Sequence, residues 1–221
     1  MKNTLKRLLL LSILLNLASL QAQHSTVQED VEQTMKRATR FMLEEVSYRG
    51  GYVWYYLPDF SRQWGEMEAY PTMIWIQHPG TISMGHLFLD AYQTTGEEFY
   101  YAAAEKAARA VIWGQGDEGG WNYMVDFAGD RSLKHWYHTV GKNGWRLEEF
   151  QHYYGNSTFD DDVSSDAARF LLRVYLEKLD PSFRPALDKA LDFILESQYP
   201  LGGWPQRYPL KYDYSKNGRP D

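Results

Sequence analysis

Tyr92–Trp121 reads YQTTGEEFYYAAAEKAARAVIWGQGDEGGW and Tyr175–Trp204 reads YLEKLDPSFRPALDKALDFILESQYPLGGW. The two stretches align without a gap at an offset of 83 residues. Tyr92 falls on Tyr175, Ala103 on Ala186, Ala107 on Ala190 and Gln115 on Gln198, and Gly119-Gly120-Trp121 falls on Gly202-Gly203-Trp204. Within each copy apolar residues recur at i, i+3, i+4 and i+7: Tyr100, Ala103, Ala104, Ala107, Ala108, Val111 and Ile112 in one, Phe183, Ala186, Leu187, Ala190, Leu191, Ile194 and Leu195 in the other. That period predicts an amphipathic helix in each. A partner helix is expected before each, from about Ser83 to Thr94 and from about Ser165 to Lys178. Start signals separate the partners: Asp180 precedes Pro181, where a missing N–H costs nothing, and Thr95 and Glu98 have the spacing of a capping box.

Working outward, a weaker echo lies 69 residues upstream. Ala38, Met42, Gly50, Gly51 and Tyr52 stand where Ala107, Val111, Gly119, Gly120 and Trp121 stand later, which predicts a helix from about Val27 to Val46. Each helix pair ends in a Gly-Gly-aromatic element whose glycines permit a turn and whose ring can pack over a helix end. Pairs that bury their faces against neighbouring pairs build a solenoid or, if closed, a toroid. The expected fold class is all-α, repeated helix hairpins of an (α/α) toroid, because long loops at one end carry most of the aromatics. Gly114 to Asp160 is the longest of these loops. A polar run from Lys216 to Pro220 follows in place of a closing helix, so residues 23–221 are expected to be the N-terminal part of such a domain.

At the other end, Lys2, Lys6 and Arg7 precede an apolar run from Leu8 to Ala18, with small Ala22 beyond it. This order reads as a secretory signal peptide over residues 1–22, and so as a secreted or periplasmic protein. The apolar run is about half the ~20 residues a membrane span needs, so no span is expected once the signal is removed. Removal also takes the formal charge from −6 to −9, a poor balance for nucleic-acid binding. With no cysteine, neither disulfides nor thiolate metal sites are available. Aromatics make up 16% of the chain, which suits sugar faces as well as a filled core.

Two motifs carry a family resemblance. Thr158-Phe159-Asp160-Asp161-Asp162-Val163-Ser164, followed by Arg169-Phe170-Leu171, resembles the T-[IF]-D-[ND]-x-[AV]-[TS] stretch and R-F-L helix of the pectic acid lyases, the family 10 polysaccharide lyases. Gln198-Tyr199-Pro200-Leu201-Gly202-Gly203-Trp204-Pro205-Gln206-Arg207-Tyr208-Pro209 is similar to that family's Q-Y-P-x-G-G-W-P-Q-x-Y-P signature. The resemblance implies an α/α-toroid enzyme that cleaves pectate, an acidic polysaccharide, by calcium-assisted β-elimination. It places Asp160 in the cleft near substrate and calcium. It also implies a catalytic arginine, to which no residue up to Asp221 corresponds, so this chain by itself is expected to be inactive. Asp160-Asp161-Asp162 departs from the family's usual Asp-Asn-Gly, which puts the choice of uronan in doubt.

The residues themselves allow several chemistries. β-Elimination from a uronate needs its carboxylate neutralised, which a divalent cation does as a Lewis acid. Calcium takes several hard oxygen ligands, and Asp160, Asp161 and Asp162 are candidates, although acids before a helix also serve its N-terminal amides. Arg207, Trp204 and Tyr208 are candidate substrate contacts: a guanidinium for a carboxylate, rings for sugar faces. Arg207 is equally readable as a surface or loop-holding residue, and Trp204 and Tyr208 as packing residues. Asp166 reads as a solvated first-turn acid, and His135 with His138 as a weak i, i+3 metal pair. Two other functions remain open: a toroid glycoside hydrolase with paired carboxylates such as Asp160 and Asp126, and a non-catalytic glycan-binding protein.

Overall fold

The computed structural model describes residues 27–144 and 148–210. The signal-peptide reading of residues 1–22 and the polar run from Lys216 therefore lie outside the described residues. The chain divides into two compact units, Met1–Glu45 and Val46–Asp221. In the first, residues 27–41 form helix α1, which runs on as a π-helical turn, Met42–Val46. Among the described residues no helix is long and apolar enough to cross a membrane.

The second unit is built on two helix pairs. Helix α2 (Thr81–Thr95) is followed by α3 (Glu98–Trp113), and α6 (Val163–Lys178) by α7 (Arg184–Glu196), within about two residues of the boundaries expected from periodicity. Phe88 and Leu89 of α2 are buried with Ala103, Ala104, Ala107 and Val111 of α3, and Phe170, Leu171 and Val174 of α6 with Ala186, Leu187, Ala190 and Phe193 of α7. A Cβ at Gly85 of α2 would stand 2.1 Å from the Phe170 ring, so α6 is seated directly against α2 at a position that tolerates no side chain. Asp180 caps as expected, accepting from the Ser182 N–H (2.8 Å) at the turn that leads into α7. The capping box does not form: Thr95 Oγ1 bonds the Ala91 carbonyl and the Glu97 N–H instead, and Glu97 opens α3.

The all-α expectation needs correction, because three small antiparallel sheets accompany the helices. Strands β1 (Tyr55–Tyr56), β2 (Gln63–Trp64) and β3 (Glu68–Ala69) form one; β4 (Met73–Trp75) pairs with β5 (Met124–Asp126), and β6 (Ser157–Thr158) with β7 (Arg207–Tyr208). Strands of two or three residues are too short for alternation to register. The expected loop from Gly114 to Asp160 also contains helix α4 (Asp130–Thr139) and a short helix α5 (Glu148–Gln151).

The 83-residue offset, with the 69-residue one that relates Tyr52 to Trp121, persists in individual hydrogen bonds. Trp75 stands opposite Met124 in one sheet and Thr158 opposite Arg207 in the other. The Trp75 N–H donates to the Tyr52 carbonyl and the Thr158 N–H to the Trp121 carbonyl, both at 2.8 Å. The first residue or so of the following helix then brackets the same aromatic residue: Thr81 Oγ1 accepts from the Tyr52 N–H (2.9 Å), and Ser164 Oγ from the Trp121 N–H (3.0 Å). The indole N–H of Trp121 closes α3 on the Val111 carbonyl, and that of Trp204 closes α7 on the Ile194 carbonyl, both at 2.7 Å. Gly119 has φ 108°, and a Cβ there would stand 2.3 Å from the Lys189 carbonyl oxygen, so the turn before Trp121 requires glycine.

Ser164 is buried and also donates to the Thr158 carbonyl (2.6 Å). Ser164→Ala would leave the buried Trp121 N–H without an acceptor and is expected to cost about 1–3 kcal/mol in urea unfolding. Ser164→Thr, which copies the residue at Thr81, should keep most of that stability; equal losses in both variants would refute the bracketing role.

Candidate active site

Asp160–Asp162 form one 3-10 turn between β6 and α6. Its position is fixed from below: Thr158 is buried, its Oγ1 donates to the Gln206 carbonyl (2.9 Å), and the Phe159 N–H donates to the same carbonyl (2.8 Å). Asp161 (φ 48°) and Asp162 (φ 58°) are both left-handed, a conformation aspartate tolerates better than most residues. Two such residues in succession part the three carboxylates. Asp160 Oδ2 accepts from the Tyr123 hydroxyl (2.5 Å), and Asp161 Oδ2 from Gln77 Nε2 (2.6 Å). Asp162 instead lines a separate cavity of about 700 Å³ with His78, His86, Asp166 and Arg169.

Around the turn gather acids that the motifs do not contain. Gln77 Nε2 also reaches Glu66 (3.3 Å), while Gln77 Oε1 is occupied by the Trp75 indole N–H (2.9 Å), so a single buried amide is oriented to tie Glu66 to Asp161. Burial pushes the Glu66 carboxyl up, and the charges of Glu149, Asp161 and Asp160 push it further. Burial also raises Glu149, with repulsion from Asp160 and Asp161 added and the Arg207 guanidinium opposing it. Tyr123 is held far above the usual phenol range by burial and by the Asp160 carboxylate it serves.

Arg207, in β7, lies behind this cluster and is only 3% exposed. Its guanidinium sits over the rings of Tyr123 (5.2 Å) and Tyr154 (4.9 Å), Nη1 makes a long bond to Asn122 Oδ1 (3.4 Å), and Nη2 has no hydrogen-bond partner among the described residues. Tyr208, in the same strand, sets its ring edge-on to Phe193 at 5.8 Å. Trp204 is 45% exposed while its N–H closes α7.

The remaining candidates are dispersed. Asp126 is buried, accepts from Thr72 Oγ1 (2.6 Å) and the Ala128 N–H (2.9 Å), and lines a different cavity with Asp117, Glu118 and Asp130. Asp166 is not simply solvated. Burial works against its charge, but the His86 ring 3.7 Å away and the Arg169 guanidinium (2.5 Å) hold it below the usual carboxylate range. His135 and His138 lie on α4, and among the described residues no three His, Asp or Glu side chains converge tightly enough to hold a bare metal ion. Glu66, Asp160, Asp161 and Glu149 are thus near enough to repel one another without forming a closed coordination shell. Their chemistry, hard carboxylate oxygens gathered in one place, suits a calcium ion that keeps further ligands from water or a bound carboxylate.

The motif reading found Asp160 and Asp161 but missed Glu66, Gln77, Tyr123 and Glu149. Gln77 was within reach, since the offset of 83 carries it onto Asp160. Glu66 and Glu149 lie in segments that do not repeat.

With this geometry in place, comparison with known proteins becomes informative. Residues 126–218 match the pectic acid lyase family. The matched segment contains the aspartate turn, Arg207 and both motifs. Among solved structures, a mutant family 10 polysaccharide lyase from Cellvibrio cellulosa in complex with trigalacturonic acid is 18% identical, at a TM-score of 0.50, over 78% of this chain and 51% of its own. A second structure of the family 10 polysaccharide lyase from that organism is also 18% identical, at a TM-score of 0.49, over 78% and 50%. The first likeness bears on fold alone, and the chain spans about half the length of these structures. No curated protein sequence matches the chain.

Raised carboxyls set a sign for stability. Over the interval between the ordinary carboxylate value and the raised one, the folded state holds more protons than the unfolded state, so stability falls as pH rises through it. Glu149→Gln should therefore raise Tm at neutral pH and leave it little changed below the ordinary carboxylate range. A Tm difference of equal size at both pH values would show that Glu149 is not under this strain.

Proposed function

We propose that the chain is part of a secreted polysaccharide lyase of the pectic acid lyase type, whose helix pairs belong to an (α/α) toroid and whose cleft binds pectate with calcium at Asp160. The observation that carries this reading is the gathering of four carboxylates at a motif-bearing turn, with Asp160 held by Tyr123 and Asp161 by Gln77. Such a site repels an acidic polymer unless a cation joins the two, so the acid cluster and an acidic substrate are compatible through calcium.

Asp160 and Asp161, with Glu66 beside them, would hold the ion. Calcium bound there would draw charge from the uronate carboxylate and make the proton at C5 easier to remove. The chain's own part is to orient: Tyr123 leaves one Asp160 oxygen engaged and the other available, and Gln77 fixes Asp161 while keeping Glu66 close. Trp204 offers its exposed face to a sugar ring. The base that takes the proton is assigned to no residue here, since the arginine that the resemblance implies has no counterpart up to Asp221. Residues 1–22 act as the export signal in this reading.

Binding is therefore the first readout. Calorimetry with oligogalacturonides should show binding that needs calcium, disappears with a chelator, and weakens by about tenfold to a hundredfold in Asp160→Asn. Ultraviolet-absorbing unsaturated ends would mark elimination, new reducing ends without that absorbance would mark hydrolysis, and chelator-insensitive binding would mark a glycan-binding protein and overturn the proposal.

A further inference from the structure

The Arg207 guanidinium is placed where a substrate cannot readily touch it. It is 3% exposed, it meets the rings of Tyr123 and Tyr154, and among the described residues its one hydrogen bond goes to a neutral amide. No carboxylate lies within ion-pair distance of it among the described residues, although Glu149 and Asp160 stand on the cluster side. A buried, uncompensated cation is costly, and a loop-holding role does not require a charge. What the charge does meet is the π-face of Tyr123, the residue whose hydroxyl donates to Asp160. Asn122, which receives Nη1, also fixes the Tyr123 N–H through the same Oδ1 (2.9 Å) and donates to the Tyr137 hydroxyl (3.1 Å). Arg207 therefore meets the Tyr123 ring directly and its main chain through Asn122, and Tyr123 holds Asp160.

We infer that Arg207 is a positioning residue: it aims Asp160 through Tyr123, without itself contacting the ligand. This deepens the proposed function and rests on it for the ligand, but not for the chain of contacts.

Two measurements on the full chain separate the possibilities. In carboxyl-resolved NMR at neutral pH, Arg207→Met should shift the Asp160 side-chain signal towards its position in Tyr123→Phe and Arg207→Lys should return it towards native, whether or not any sugar binds. In calcium-dependent oligogalacturonide binding, Arg207→Met and Tyr123→Phe should each weaken affinity about tenfold, and the double variant should be no worse than either single one, because both act through one chain of contacts. Losses that multiply in the double variant would overturn the inference by showing a separate action of Arg207 on the ligand. An unmoved Asp160 signal in folded Arg207→Met would overturn it as well. If native protein binds no oligogalacturonide while that signal shifts as stated, the ligand assignment fails and the positioning role stands.

Discussion

The main chain of Trp121 is held on both sides, its carbonyl by the Thr158 N–H and its N–H by the Ser164 hydroxyl, and the rest of the second unit depends on that clasp. It joins the end of one helix pair to the beginning of the next. It also sits one short step from chemistry, since Thr158 and Ser164 are the two ends of the turn that carries Asp160. Because buried amides and carbonyls must find partners, the junction has essentially one low-energy arrangement. The aspartate turn inherits that rigidity from it.

The site is consequently a product of the repeat. Tyr123 follows Trp121 by two residues, Gln77 follows Trp75 by two, and the Trp75 N–H closes on Tyr52 as the Thr158 N–H closes on Trp121. Equivalent junctions thus deliver Gln77 and the Asp160 turn to one place. Gln77, the counterpart of Asp160, donates to the adjacent Asp161, where a further aspartate would only add repulsion. Matching positions thus carry different side chains on similar backbone bonds.

How much of this was legible follows from the same division. The helix pairs were readable because burial against a neighbour imposes a 3.6-residue period on ten or more positions, as in Tyr100–Ile112 and Phe183–Leu195. The Asp160 turn was readable because its motif survives. The three small sheets were not, since two-residue strands such as Ser157–Thr158 have no period, and in two of the sheets the partners lie about fifty residues away. Glu66 and Glu149 were silent for a different reason: each is an ordinary acid in a non-repeating segment, and only folding brings it to the cluster. The capping box at Thr95 failed because its hydroxyl had a nearer carbonyl at Ala91 and an N–H at Glu97.

Arg207 shows why residue type alone misassigns roles. An arginine after a glycine turn, in a protein expected to bind uronates, reads as a carboxylate clamp. Burial reverses that reading, because a guanidinium buried against two rings cannot exchange its neighbours for a passing sugar. Its field is felt nonetheless, for in a medium of low polarity a charge acts over several ångströms with little screening. The neighbouring glutamate feels that field as an attraction working against the repulsion of the aspartates. One buried guanidinium, with tyrosine as the rigid link, keeps Asp160 aimed, which is a condition any cation-dependent chemistry at this turn would require.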